Sequence, residues 1–358
     1  MRSKFGKITA LLLAIALVAT LAVGCSKPAA EKPATETPAA ETPKTDVKAA
    51  MVTDVGGLGD KSFNDLSYAG LQRAEKELGV EIQVLESKEP TDYESNITQL
   101  ATAGYNPIFA VGFLMTDTVV KVAPQNSDVV FGGIDINFEK PEANTLGLNF
   151  KEQEAAYLAG VVAGMLTTKT DADPRINDKK VIGFVGGMEI PAVQRFKIGF
   201  EAGAKSVDPK IEVKSVYTGT FTDQQKGAEA AKAMIEGGAD IIFAAAGQTG
   251  NGSFSACKDN KALFIGVDAD QYNTLTDPGD TIVTSAVKRV DNAVFQTVQA
   301  AVDGTLKGGE NKVFGLAEDG VGLAEFHDWD SKMPQEIKDA VTKASDDIKS
   351  GAVVVPDK

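Results

Sequence analysis

The clearest signal along this chain is a change of hydrophobic period near its amino-terminal third. An apolar run beginning at Val47 gives way at Asp54 to a loop holding Gly56, Gly57 and Gly59, after which apolar positions recur at Leu66, Ala69 and Leu71. The first pattern suits a strand and the second a helix, because side chains repeat every two residues on a pleat and about every 3.6 on a helix. In an open α/β sheet such a strand-loop-helix junction falls at the carboxyl edge of the strands, where ligands bind. Its polar residues Asp54, Asp60, Ser62 and Asn64 are therefore candidate ligand contacts.

The same alternation continues down the chain. A strand is predicted over 80–84, and Thr91-Asp92-Tyr93-Glu94 reads as a capping box opening a helix through Ile97, Leu100 and Ala101. Strands follow at 107–112, 129–134 and 145–149, with a helix starting at Thr116, and together these make one doubly wound half. A helix over 151–166 opens a second series, with strands at 180–185, 211–217, 240–245, 263–267 and 281–287 and helices at 191–206, 223–236 and 253–260. No residue-level repeat links the halves, but the element pattern repeats, and such alternation implies parallel sheets with right-handed crossovers.

The amino terminus stands apart. Arg2, Lys4 and Lys7 precede an apolar run from Ile8 to Val23, a length of about 16 residues that is short for a membrane span and suits an export signal. Leu21-Ala22-Val23-Gly24-Cys25 resembles a bacterial lipobox, with Ala22 where leucine is usual, so residues 1–24 are expected to be removed and Cys25 to carry lipid. A plain secretory peptide with an incidental cysteine is the alternative. Residues 25–46 are rich in Pro, Ala, Glu, Thr and Lys, a composition that cannot offset its ordering entropy and reads as a tether.

Composition narrows the function. The formal charge is −14, and −17 without the three basic residues of the leader, which argues against nucleic-acid binding. Cys257 is the second of two cysteines, so the exported domain is held by its cores and not by a disulfide. The single histidine, His327, is too little for a zinc or copper site, and no metal or cofactor is expected. A dinucleotide fingerprint would need a third glycine after Gly57-Leu58-Gly59, and neither a phosphate loop nor a nucleophile elbow is present. Asp54 and Asp60 could pair as acid and base in a carboxylate-only hydrolase, but the expectation is that the protein is not an enzyme.

An exported, tethered, acidic α/β protein of two halves suggests capture of a solute between lobes. Val52-Thr53-Asp54 with its glycines, Asp60-Lys61-Ser62-Phe63-Asn64, Gly199-Phe200-Glu201-Ala202-Gly203-Ala204, Ala245-Ala246-Gly247, Ile265-Gly266-Val267-Asp268-Ala269-Asp270-Gln271 and Thr284-Ser285-Ala286-Val287-Lys288 together resemble the basic membrane protein family. These are substrate-binding lipoproteins of ABC transporters, most of whose characterised members bind purine nucleosides. The resemblance implies a type I periplasmic-binding-protein fold, two doubly wound parallel-sheet lobes joined by a three-segment hinge crossing near 148–151, 287–290 and 315–322. It places 47–149 and 289–316 in lobe 1 and 150–288 and 317–358 in lobe 2. It further implies a monomer, lipid-anchored on the extracytoplasmic side of the cell membrane. That monomer would deliver guanosine, inosine or adenosine to an ABC permease and its ATPase subunits.

A nucleoside offers two π faces, a polar rim and vicinal hydroxyls, which call for aromatic planes, amide or carboxylate groups and a carboxylate acceptor. Asn64, Asp117 and Asp60 are candidates for the rim, and Phe63, Tyr68, Phe113 and Phe196 for the faces. The family pattern points to Asp268, Gly247 and Lys288 for the ribose. Each has an ordinary alternative: Asp60 and Asn64 as a helix cap, the phenylalanines as core, Asp268 as loop solvation and Lys288 as a surface charge. A sugar or autoinducer receptor of the same fold, or a ligand-presenting sensor lipoprotein, remains the competing function.

Overall fold

The computed structural model describes residues 45–358. The export signal, Cys25 and most of the tether lie outside the described residues. In chain order, β1 (Lys48–Thr53), α1 (Phe63–Leu78), β2 (Glu81–Leu85), α2 (Asp92–Thr102), β3 (Ile108–Val111), α3 (Thr116–Val122), β4 (Phe131–Ile134) and β5 (Thr145–Phe150) form the first series. The second comprises α4 (Glu152–Thr167), β6 (Val181–Gly186), α5 (Pro191–Val207), β7 (Glu212–Tyr217), α6 (Gln224–Glu236), β8 (Ala239–Ala245), α7 (Gln248–Asp259), β9 (Leu263–Asp268), α8 (Gln271–Thr274) and β10 (Ile282–Lys288). The chain then runs through α9 (Val290–Val302), β11 (Glu310–Phe314), β12 (Val321–Leu323) and α10 (Gln335–Lys349).

Two six-stranded sheets result, ordered β11-β5-β4-β3-β1-β2 and β12-β10-β9-β8-β6-β7. Every pairing is parallel except that of β12 with β10. Central strands such as β4, β6 and β8 are buried along their whole length, as helices on both faces of a parallel sheet require, whereas the edge strands β2 and β7 keep exposed positions. Met51, Leu71, Ile97, Phe109 and Phe131 fill the first lobe, and Phe184, Phe200, Phe243 and Phe264 the second.

The chain passes between the sheets three times: from β5 to α4, from β10 to α9, and from β11 to β12. These passages are bonded to each other. Lys151 N donates to Phe314 O over 3.0 Å, Arg289 N to Gly320 O over 2.9 Å, and Leu316 N to the Glu154 carboxylate over 2.7 Å.

Two local expectations fail for packing reasons. Thr91 has helical angles (φ −66°, ψ −17°) and its hydroxyl caps nothing, so there is no capping box. Asp92 instead accepts from Lys88 N and Glu89 N, closing the turn before the helix. Helix α7 begins at Gln248, five residues before the predicted start at 253, inside a glycine-rich stretch. A Cβ at Gly252 would collide with the Gln224 carbonyl, so these glycines let α6 and α7 touch backbone to backbone.

Candidate functional site

The loop after β1 builds one wall. Asp54 and Asp60 are 5% and 1% exposed, and Asn64, in the first turn of α1, is 2% exposed. Asp60 accepts from the backbone N–H groups of Ser62 (3.0 Å), Asp65 (3.1 Å) and Asn64 (2.7 Å), and so does the work of capping α1. Asp54 Oδ1 accepts from Gly56 N at 2.8 Å and from Asn64 Nδ2 at 3.0 Å. Burial pushes the Asp54 carboxyl up to about 6, against the pull of those two hydrogen bonds. Phe63, on the first turn of α1, Phe113, beyond β3, and Asp135, beyond β4 with φ +59°, complete this wall.

The facing wall comes from the same edge of the second sheet. Phe196 lies on α5, Phe221 after β7, Gly247 after β8, and Asp268 and Lys288 are the last residues of β9 and β10. Lys288 is 2% exposed and is held by carboxylates from both lobes. Its Nζ lies 2.7 Å from Asp135 Oδ2, and 3.6 Å from both Asp268 Oδ1 and Glu152 Oε1. It also sits 4.5 Å from the Phe63 ring centroid, within cation–π range. Burial alone would depress the Lys288 pKa, but the three carboxylates outweigh it and hold the ammonium above its usual value. Asp268 is pushed by burial up to about 7, with Lys288 opposing. Glu152, fully buried at the start of α4, is tied on its other side to Arg195 Nε at 2.6 Å.

Between the walls lies a cavity of about 50 Å³. Three acceptor oxygens on its lining residues have no hydrogen-bond partner: Asn64 Oδ1, Asp135 Oδ1 and Asp268 Oδ1. Buried acceptors left unpaired are costly, so a ligand that donates hydrogen bonds gains by entering. At the mouth the lobes bond directly. Gln248 Nε2 donates to Gly56 O (2.9 Å), Asn251 Nδ2 to Asp60 O (3.3 Å), and Gln271 Nε2 and Thr274 Oγ1 to Lys61 O (3.4 and 2.9 Å).

Of the candidates read from the sequence, Asp54, Asp60, Phe63, Asn64, Phe113, Phe196, Gly247, Asp268 and Lys288 line this one cavity, and Ser62 does not. Tyr68 and Asp117 are not among its lining residues. Tyr68 sits a turn farther along α1, against the lobe core, and Asp117 is exposed on α3. Lys288 is no surface charge, whereas Asp60 does serve as a cap. Sequence reading missed Asp135, Glu152, Arg195 and Phe221. Asp135 carried a usable signal, since it follows the apolar run Phe131-Gly132-Gly133-Ile134 as Asp268 follows Ile265-Gly266-Val267. His327 lies away from the cavity, its Nε2 2.7 Å from Asp270 Oδ2 and its ring stacked on Tyr272.

Two parallel-sheet lobes on a three-segment hinge, closing over a cavity lined with aromatic rings and unpaired acceptors, define a solute-binding protein. The chain belongs to the Bmp family, ABC transporter substrate-binding protein PnrA-like, whose model matches residues 47–358. It is 35% identical over 331 residues to the CD4+ T-cell-stimulating antigen of Listeria monocytogenes, covering 87% of this chain and 89% of that protein. It is 36% identical over 334 residues to the ABC transporter nucleoside-binding protein BmpA of Lactococcus lactis, covering 88% and 90%. Among solved structures, an ABC transporter solute-binding protein from Aeropyrum pernix superposes with a TM-score of 0.78 at 28% identity, covering 87% of this chain and 94% of that one. The fold is that of the type I periplasmic binding proteins. The chain is the substrate-binding component of an ABC importer and not an enzyme.

Proposed function

We propose that the protein captures purine nucleosides between its lobes and delivers them to an ABC permease and its ATPase subunits. In this reading it works from a lipid anchor at Cys25 on the extracytoplasmic side of the membrane. The observation that carries the ligand assignment is that aromatic faces and unpaired acceptors share one enclosed cavity: Phe63, Phe113, Phe196 and Phe221 with Asn64, Asp135 and Asp268. A flat base finds rings on which to stack, and a ribose finds a buried carboxylate and an ammonium for its hydroxyls. We assign the ribose to Asp268, Gly247 and Lys288 and the base rim to Asn64. The acidic lining disfavours ligands carrying phosphate. The similarity to a nucleoside-binding protein of Lactococcus lactis supports the same reading.

Mass spectrometry of whatever co-purifies with the untagged mature protein, followed by calorimetric titration with inosine, guanosine, adenosine and ribose, tests it. Saturable nucleoside binding is expected. Binding of ribose or another sugar with no nucleoside would overturn the assignment.

A further inference from the structure

Asn64 is held by two carboxylates. Its Nδ2 donates to Asp54 Oδ1 at 3.0 Å and to Asp60 Oδ2 at 3.2 Å, so both N–H groups of the amide are committed. Its Oδ1 is buried, has no partner, and belongs to a residue lining the cavity. The orientation follows from chemistry: turning the amide over would set its carbonyl against two acceptor groups, with no donor to receive it. The lock is closely packed, since a Cβ at Gly56 would lie 2.8 Å from Asp54 Oδ1 and 3.0 Å from Asn64 Nδ2. Asp60 is engaged by three backbone N–H groups and Asp54 by one, that of Gly56, so Asp54 is the partner less committed to the backbone and better able to set this amide.

We infer that Asp54 is a positioning residue that makes Asn64 present a carbonyl oxygen and no N–H to the ligand, so the site selects ligands carrying a hydrogen-bond donor at that edge. Applied to nucleosides, which rests on the function proposed above, Asn64 demands an N–H on the base rim and disfavours a base with bare ring nitrogens alone. Removing Asp54 releases one amide N–H towards the cavity, and the position then reads either polarity.

Purine riboside, whose base carries no N–H, is the discriminating probe beside inosine, guanosine and adenosine. Wild type should bind its best N–H-bearing nucleoside at least about tenfold more tightly than purine riboside, the effect of one unpaired buried acceptor. Asp54→Ala should reduce that ratio to within about threefold. Asp54→Asn, which can keep a carbonyl where Oδ1 stands, should restore it, an outcome that general loosening of the loop does not produce. Equal binding of purine riboside by wild type, or an unchanged ratio in Asp54→Ala, overturns the inference. Nuclear magnetic resonance of the ligand-free protein tests the lock without any ligand. The Asn64 side-chain protons should exchange slowly with water in wild type and Asp54→Asn and rapidly in Asp54→Ala, and uniform fast exchange overturns the lock. Slow exchange in a wild type that binds no nucleoside would instead overturn the nucleoside assignment and leave the lock standing.

Discussion

Lys288 Nζ lies 2.7 Å from Asp135 Oδ2, joining the end of a strand in one lobe to the loop after a strand in the other across 153 positions of sequence. The contact is buried at both ends, with side-chain exposures of 2% and 5%, and Asp268 and Glu152 stand 3.6 Å away on the lysine's own side of the cleft. One ammonium therefore offsets much of the repulsion among three buried carboxylates, with Arg195 balancing Glu152 from behind.

Removing that ammonium should be severe. Lys288→Met leaves Asp135, Asp268 and Glu152 facing one another, and stability in chemical denaturation at pH 7.5 should fall by about 3 to 5 kcal/mol, the usual cost of breaking a buried ion pair. The deficit should shrink as pH falls through about 7 and below, because Asp268, pushed up to about 7 even with the ammonium beside it, then takes up a proton. A loss under 1 kcal/mol would show that the group is not coupled as the distances imply.

Asp268 should govern both affinity and its pH dependence. If Asp268 holds the ribose as proposed, two charge-assisted bonds to its hydroxyls would contribute roughly 1.5 to 3 kcal/mol each, so Asp268→Ala should weaken inosine or guanosine by on the order of 100-fold or more. Burial pushes this carboxyl up to about 7, and the ionised form is the better acceptor. Nucleoside affinity measured by calorimetry should therefore rise from pH 6 to pH 8 in wild type and stay level in Asp268→Asn. A flat wild-type profile would remove Asp268 from the sugar.

The bonds at the cleft mouth exist only when the lobes meet. Gln248→Ala and Thr274→Val delete donors to Gly56 O and Lys61 O, and each should speed ligand release by roughly 3- to 10-fold, the worth of one ordinary hydrogen bond. Association should be nearly unchanged. Stopped-flow kinetics separate the two rates, and an effect confined to association would contradict the role.

Asp240, at the opposite end of its sheet from the cleft, offers a stability test free of the ligand. Burial pushes its carboxyl up to about 6 from an ordinary 3.8, with Thr167 Oγ1 and Asn177 N donating to the same Oδ2. A folded pKa above the unfolded one means that this group's stabilising contribution is present below about pH 4 and lost as pH rises through about 6. Asp240→Asn retains one carbonyl for both donors. It should stabilise the protein by on the order of 1 to 2 kcal/mol at pH 7.5, with the gain vanishing towards pH 4. Destabilisation at neutral pH would show that the ionised form is needed.

Anchoring is tested at Cys25. Cys25→Ser should release the protein from membranes in fractionated cells, and equal retention of the variant would count against lipidation.

Much of the architecture was legible in the sequence because it rests on local period and on strand ends. The switch from strand to helix spacing after Val47 located the loop with Asp54, Asp60 and Asn64. Family resemblance narrowed the second wall to Gly247, Asp268 and Lys288. Where local signals competed with packing they misled: Thr91 looked like a cap, and the pattern predicts that α7 starts only at 253, although the glycines before that position serve a close helix contact that no window of sequence contains.

The sequence by itself determined the alternation of strand and helix, the polarity of the chain and which chemistry-bearing side chains stand at strand ends, since each depends on neighbours a few residues apart. Only the tertiary structure decided that Asp135 reaches Lys288, that Glu152 and Arg195 stand behind it, and that Asp54 and Asp60 together turn the Asn64 carbonyl to the cavity. Those relations depend on how two sheets are ordered and how two lobes close. Electrostatic and hydrogen-bond energies in a buried site depend on distance in space, which separation along the chain does not specify.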